Sequence, residues 1–315
     1  MLSISFIIAV ALYNLKAAIL LKDSIMGSLF YLILSVLSSS LITVGFKYFS
    51  KYNISLLQII VVNYLVCIIS AIAVNGGIAL PEQLTSKSWF PWATVMGLFF
   101  IVFFNVIGYT SKTVGVSIAT VSNKLSLVIP FVLSIIILKA GYNYWNIIGC
   151  IVAIAAVVFT CYKPSNQKIT NKSVYALPAL LFIGSGLLDF LIKYCTTILL
   201  QKEEEYLFFI IGFAVAFTIG IIILSYQFAT KKATFNLANV GIGILIGVPN
   251  YFSFYYLVKF INSGALPVAT AIPVNNICIV VGSALLAFIL VKEKLSLINC
   301  LGILLAVISI VLMMQ

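Results

Sequence analysis

Long uninterrupted apolar runs follow one another along the chain, separated by short polar spacers. A bilayer core about 30 Å thick is crossed by roughly 20 apolar residues in a helix. Ten runs after the first 26 residues meet that length: 27–46, 54–74, 90–110, 114–138, 144–162, 174–195, 206–226, 239–258, 264–290 and 295–313. The spacers carry loop chemistry, as in Asn75-Gly76-Gly77, Lys163-Pro164-Ser165-Asn166 and Lys231-Lys232. Trp89, Trp92, Tyr144 and Trp145 stand at run edges, where amphipathic rings prefer the membrane interface. The pattern predicts an all-α polytopic membrane protein of about ten transmembrane helices.

Residues 1–26 admit several readings. The stretch from Leu2 to Leu21 is apolar enough for an extra helix but contains Asn14 and Lys16. It is also compatible with an uncleaved signal-like segment or with an upstream extension, since Met26 immediately precedes the first clear run. The polar spacer at 163–173 divides the chain nearly in half.

The two halves, 27–162 and 174–315, resemble each other at an offset of about 150 residues that drifts upward along the chain. Gly45-Phe46-Lys47-Tyr48 matches Leu191-Ile192-Lys193-Tyr194, and Lys112 matches Lys259. Gly115 with Ala119-Thr120 matches Gly264 with Ala269-Thr270, and Asn146 with Gly149 matches Asn299 with Gly302. Five spans per half is an odd number, so the second half inserts upside down relative to the first. Such inverted repeats are the architecture of many alternating-access transporters.

Composition removes most other classes. The chain is 63% hydrophobic and 8% charged, against about 25% charged in soluble domains. Its net charge of +11 comes from lysines that mostly lie between the apolar runs, where they anchor to headgroups rather than bind nucleic acid. These lysines divide too evenly between the two faces to orient the chain. Histidine is absent, and the six cysteines form no CxxC pair, so they read as packing residues. No metal site, cofactor or enzymatic activity is expected.

The helix count, the duplication and several short motifs together resemble ten-helix EamA-type members of the drug/metabolite transporter superfamily, over about 27–313. Lys47 and Lys193 match a lysine late in the first helix of each family half. Ala119-Thr120-Val121-Ser122-Asn123-Lys124 and Ala269-Thr270-Ala271-Ile272-Pro273-Val274-Asn275-Asn276 match its Ala/Ser-rich fourth helix. Val291-Lys292-Glu293-Lys294-Leu295-Ser296-Leu297-Ile298-Asn299-Cys300-Leu301-Gly302 matches its acidic turn and Gly-bearing fifth helix. The first half departs from the pattern, with Ala140 at the acidic position, and Asn63 stands where the family often carries arginine. The resemblance implies a carrier with a central cavity, termini in the cytoplasm and no fixed cargo.

Ionisable groups inside a membrane are costly and are functional candidates by default. Lys124, beside Asn123, lies deepest, and Asn275 and Asn276 occupy the corresponding region of the second half. A lysine with amides suits a carboxylate, a phosphate or a zwitterion; the alternative is a structural ion pair with Asp189. Asp189 is the one acid deep in a span, four residues before Lys193. It is either paired within its helix or a proton-coupling carboxylate. Asn105, Tyr109, Asn250 and Tyr255 are candidate cavity walls. Pro130, Pro178, Pro249, Pro267 and Pro273 are candidate helix breaks, Pro249-Asn250 and Pro273-Val274-Asn275 being the better ones because each sets an amide beside the break. Ser38 to Ser40, Gly184, Gly186, Gly243 and Gly247 suit close helix contact.

These features lead to the expectation of a bacterial inner-membrane secondary transporter, monomeric or homodimeric, that exports an amino acid or similar zwitterionic or anionic solute. A multidrug exporter is the main alternative; a lipid-handling membrane protein would need an interfacial constellation of acids, histidine or arginine.

Overall fold

In a computed structural model, the described residues are 4–52, 54–78, 80, 83–139, 141–161, 176–266, 268–293 and 295–315. They are helical throughout, with no strand among them: α1 (Ile4–Phe49), α2 (Leu56–Asn75), α3 (Phe90–Thr113), α4 (Val116–Leu125), α5 (Val128–Leu138), α6 (Tyr144–Cys161), α7 (Ala176–Tyr194), α8 (Glu205–Ala229), α9 (Leu237–Asn262), α10 (Val268–Val291) and α11 (Leu297–Met313). A five-residue π-turn, Cys195–Leu199, extends α7. The spacer at 163–173, Ala140, Pro267 and Lys294 lie outside the described residues, as do the side chains of 4–25, 161, 202, 268–270 and 273.

Eight segments are long and apolar enough to cross a membrane: Met26–Phe49, Leu56–Asn75, Phe90–Thr113, Val116–Leu138, Ala176–Leu199, Glu205–Ala229, Leu237–Asn262 and Val274–Val291. Two shorter apolar helices, Tyr144–Thr160 and Leu297–Met313, complete the ten. This is a multi-pass membrane protein. The exposed rows of apolar side chains, among them Ile136, Ile151, Leu245 and Phe288, are its lipid-facing surface. The helix that holds the first span begins at Ile4, so residues 4–25 continue it rather than form a separate element.

The helices alternate in direction. The end of α1 at Phe49 defines what is called here the near face; the opposite side is the far face. Packing partners exchange between the two halves of the chain: α2 packs on α9 as α8 packs on α3, and α1 packs on α9 and α10 as α7 packs on α3, α4 and α5. The remaining large contacts, α6 against α11 and α2 against α8, each map onto themselves under that exchange. Glycines permit the close crossings. A Cβ at Gly243 would lie 2.8 Å from the carbonyl oxygen of Ile59, and one at Gly97 would lie 2.7 Å from that of Gly212.

The α6–α11 pair shows how polar groups pin this arrangement. The Asn146 amide donates to the carbonyl of Met313 at 3.1 Å on the far face, and the Asn299 amide donates to the carbonyl of Thr160 at 2.8 Å on the near face. Each asparagine near the start of one helix thus satisfies a carbonyl at the end of the other, where helix ends leave acceptors without partners. Elsewhere on the far face, Lys87 pairs with Glu204 at 2.8 Å and Trp89 Nε1 donates to the same carboxylate at 3.0 Å. The hydrogen bond from Lys87 holds the Glu204 carboxyl below the usual carboxylate range. Trp89 is fully buried, edge-on to Phe208, so it is a packing residue rather than an interfacial ring; Trp92, Tyr144 and Trp145 are exposed as the sequence suggests.

Candidate functional site

The span Val116–Leu138 is broken near its middle, at Ser126 and Leu127, into α4 and α5. Pro130 supplies the cause. It has no N–H for the carbonyl of Ser126 four residues earlier, and its ring crowds that carbonyl. The Ser126 carbonyl instead accepts from Ile129 N at 2.9 Å, a tight turn of the 3₁₀ kind. The two prolines that looked better placed do not break their helices: α9 runs through Pro249, and α10 is continuous from Val268 to Val291.

Two charged residues flank the break. Lys124 stands in the last turn of α4, where the negative end of the helix favours a cation. Asp189 comes from α7, which approaches closely because Gly186 leaves room; a Cβ there would sit 2.8 Å from the Ser126 carbonyl oxygen. Ser126 Oγ lies 3.5 Å from Asp189 Oδ2 and also bonds the carbonyl of Asn123. The Lys124 and Asp189 charges act on each other but form no direct ion pair, and Asp189 forms none with Lys193. Among the described residues, Lys124 makes no hydrogen bond.

Lys124 instead lines a cavity of about 150 Å³ between α1, α3, α4, α9 and α10. Its polar walls are Ser39 and Thr43 from α1, Thr120 and Asn123 from α4, and Asn250 and Ser253 from α9. Ile42, Phe104, Ile107 and Ile279 supply apolar walls. On the near-face side of Thr43 and Thr120, Val44, Val116 and Ala287 pack together as a small buried cluster. Thr43 Oγ1 lies just below, 3.4 Å from Thr120 Oγ1.

Of the residues singled out from the sequence, Lys124, Asn123 and Asn250 come together in this cavity. Asn250 is steered by α2: its amide donates to Asn63 Oδ1 at 3.1 Å and contacts Cys67 Sγ at 3.5 Å. The others lie elsewhere. The Asn105 amide is turned back to the Ile101 carbonyl of its own helix, Tyr109 is exposed, and Tyr255 stacks on Tyr251 with Lys259 over its ring. Asn275 is buried with Oδ1 unpartnered one turn before Ile279, and Asn276 is half-buried; neither lines the cavity. Ser39, Thr43, Thr120 and Ser253 were missed. A readable signal existed for most of them: Ser39 with Thr43 and Thr120 with Lys124 are polar residues four apart, which places each pair on one face of its helix.

Cys67, Cys150, Cys195, Cys278 and Cys300 carry free thiols, and no group of three or more His, Cys, Asp or Glu among the described residues could hold a metal ion.

No protein-family model matches the chain. A protein of Haemophilus influenzae described as uncharacterized is 23% identical over 278 residues, which cover 86% of this chain and 93% of that protein. A protein of known crystal structure superposes with a TM-score of 0.58 at 13% identity, covering 90% of this chain and 96% of the other. Its likeness is one of fold. The chain is thus a polytopic helical membrane protein with a distant bacterial relative of nearly its own length.

Proposed function

We propose that this protein is a secondary transporter that moves a small polar metabolite, an amino acid or similar zwitterionic or anionic solute, across a bacterial inner membrane by alternating access. The observation that carries the reading is Lys124, an ammonium half-buried in mid-membrane, facing a cavity and bonded to no described group. An isolated cation there is costly unless something of opposite charge visits it. The cavity has the size of one that holds a benzene-sized molecule, and it is walled by helices from both halves of the chain.

The halves 27–162 and 174–315 act as inverted repeats of the EamA type, rocking against each other about that site. The exchanged packing partners and the reciprocal Asn146 and Asn299 bonds support this reading. Asp189, beside the same helix break, is the carboxylate available for coupling to protons. The solute leaves as it entered, so no catalytic residue is assigned, and the cationic cavity disfavours the organic cations a multidrug exporter would handle. Export is the direction we assign.

Uptake into proteoliposomes across a panel of amino acids, carboxylates, sugar phosphates and nucleosides tests the proposal. Saturable uptake of an anionic or zwitterionic member, lost in Lys124→Ala, is expected. Flux of such a solute at full affinity in Lys124→Ala contradicts the assignment.

A further inference from the structure

This inference rests on the carrier reading and narrows both the cargo and its coupling. The cavity lining carries a single charge, the ammonium of Lys124; every other lining residue is uncharged. Asp189 is outside the lining but within electrostatic reach of that ammonium, tethered to the helix break through Ser126. The elements packed on α7 bring it no other charge at that depth. α5 has no titratable residue, and those of α3 are Tyr109 and Lys112 in its last turns at the near face. On its own helix Lys193 forms no ion pair with it, and Tyr194 and Cys195 follow toward the far face.

We infer that Lys124 serves two carboxylates in turn, that of Asp189 and that of a small monocarboxylate in the cavity, so that each anion bound brings one proton onto Asp189. In the empty cavity, Asp189 offsets the charge of Lys124. When an anion enters, Lys124 pairs with it, and Asp189 is left without a compensating charge inside a span, where a lone carboxylate is costly. Taking up a proton removes that charge. One anion and one proton enter together, so the net charge of the site is unchanged. Asp189 is not among the cavity-lining residues, so the proton and the anion occupy different places.

The rest of the lining selects the cargo. A zwitterion would bring an ammonium into a space that offers it no carboxylate. The hydroxyl protons of Thr43, Thr120 and Ser253 are donated to the Ser40 carbonyl, Thr43 Oγ1 and the Asn250 carbonyl. Their remaining lone pairs are neutral acceptors, suited to a hydroxyl on the cargo. A dianion would require a second cation.

Lactate and alanine, which share a skeleton and differ in hydroxyl against ammonium, are the probes. Binding to the purified full chain is measured by calorimetry, with proton uptake followed by an indicator dye in weak buffer. Lactate is expected to bind with about one proton taken up, its apparent Kd rising about tenfold per pH unit where Asp189 must gain that proton. Alanine is expected to bind at least about tenfold more weakly, about 1.4 kcal/mol or more. Asp189→Asn is expected to tighten lactate binding at high pH and flatten the pH slope; Asp189→Glu, a second variant should the first misfold, is expected to keep the slope. The inference is overturned by lactate binding without proton uptake, by proton uptake that persists in Asp189→Asn, by alanine binding as tightly as lactate, or by no lactate binding. A carrier that counterflows alanine but not lactate defeats this inference and leaves the carrier reading intact; absence of counterflow for any solute defeats that reading itself.

Discussion

Glu293, in the turn between α10 and α11, accepts hydrogen bonds from the backbone N–H groups of Val116 at 3.0 Å and Ser117 at 3.4 Å, so an acid from the second half caps α4 in the first. Those two N–H groups lack partners within their helix, and a carboxylate at a helix N-terminus is doubly favoured, by hydrogen bonding and by the helix dipole. Gly115 makes room, with φ at 144° and a hypothetical Cβ only 2.7 Å from Glu293 Oε1. Glu293→Ala should lower stability by about 1–2 kcal/mol, the usual range for a lost cap. Gly115→Ala should also destabilise, through both its backbone conformation and the displaced carboxylate. Thermal unfolding of the detergent-solubilised variants checks this, and the double variant should lose less than the sum, because the two changes act on one contact.

Close helix crossings predict opposite outcomes for two Gly→Ala changes. At Gly243 the new methyl would meet the Ile59 carbonyl oxygen at 2.8 Å, and backbone cannot step aside as a side-chain tip can. Gly243→Ala should cost about 1–3 kcal/mol. At Gly45 the nearest atoms are Ile246 Cγ1 at 3.6 Å and Cδ1 at 3.8 Å, ordinary contact distances. Gly45→Ala should be neutral or stabilising by up to about 1 kcal/mol from helix propensity. Melting temperatures of the two variants decide between these signs.

Asn146 and Asn299 should behave as equivalent and independent ties. Each bonds a carbonyl at the end of the opposite helix, on opposite faces of the membrane. Asn146→Ala and Asn299→Ala should each destabilise by about 1–2 kcal/mol, since each also removes a cap contact at the start of its own helix, with the backbone N–H of Asn143 and of Ser296 respectively. A helix of this length separates the two sites well beyond contact, so the double variant should be additive within about 0.5 kcal/mol.

The Lys87–Glu204 pair predicts a mild acid sensitivity. Its carboxyl is held below the usual range in the folded protein. That stability is present above the ordinary glutamate range and is lost as pH falls through the lowered value. The contribution should be about 0.2–1 kcal/mol, as for other surface pairs. Melting curves of wild type and Lys87→Ala should differ at neutral pH and converge in strong acid.

Span positions were legible because bilayer thickness fixes length, and apolar runs therefore report it directly. Which side of each helix faces the cavity was not. A helix that is apolar all round carries little rotational information. On α3 the lining residues are Phe104 and Ile107, while Asn105, the residue chosen for its polarity, is rotated about 100° away from Phe104. The break at Pro130 was likewise one candidate among several. It is realised there because Gly186 lets α7 press against the Ser126 carbonyl, a tertiary contact that local sequence does not encode. Lys124 was legible because a mid-span cation is costly without a purpose, whatever the packing around it.

The most direct test of the account is solute counterflow in proteoliposomes preloaded with a small carboxylate or amino acid. A carrier working by alternating access about Lys124 should concentrate labelled external solute transiently when unlabelled solute is inside, and Lys124→Ala should abolish that overshoot. An overshoot of undiminished height and affinity in Lys124→Ala would contradict the account.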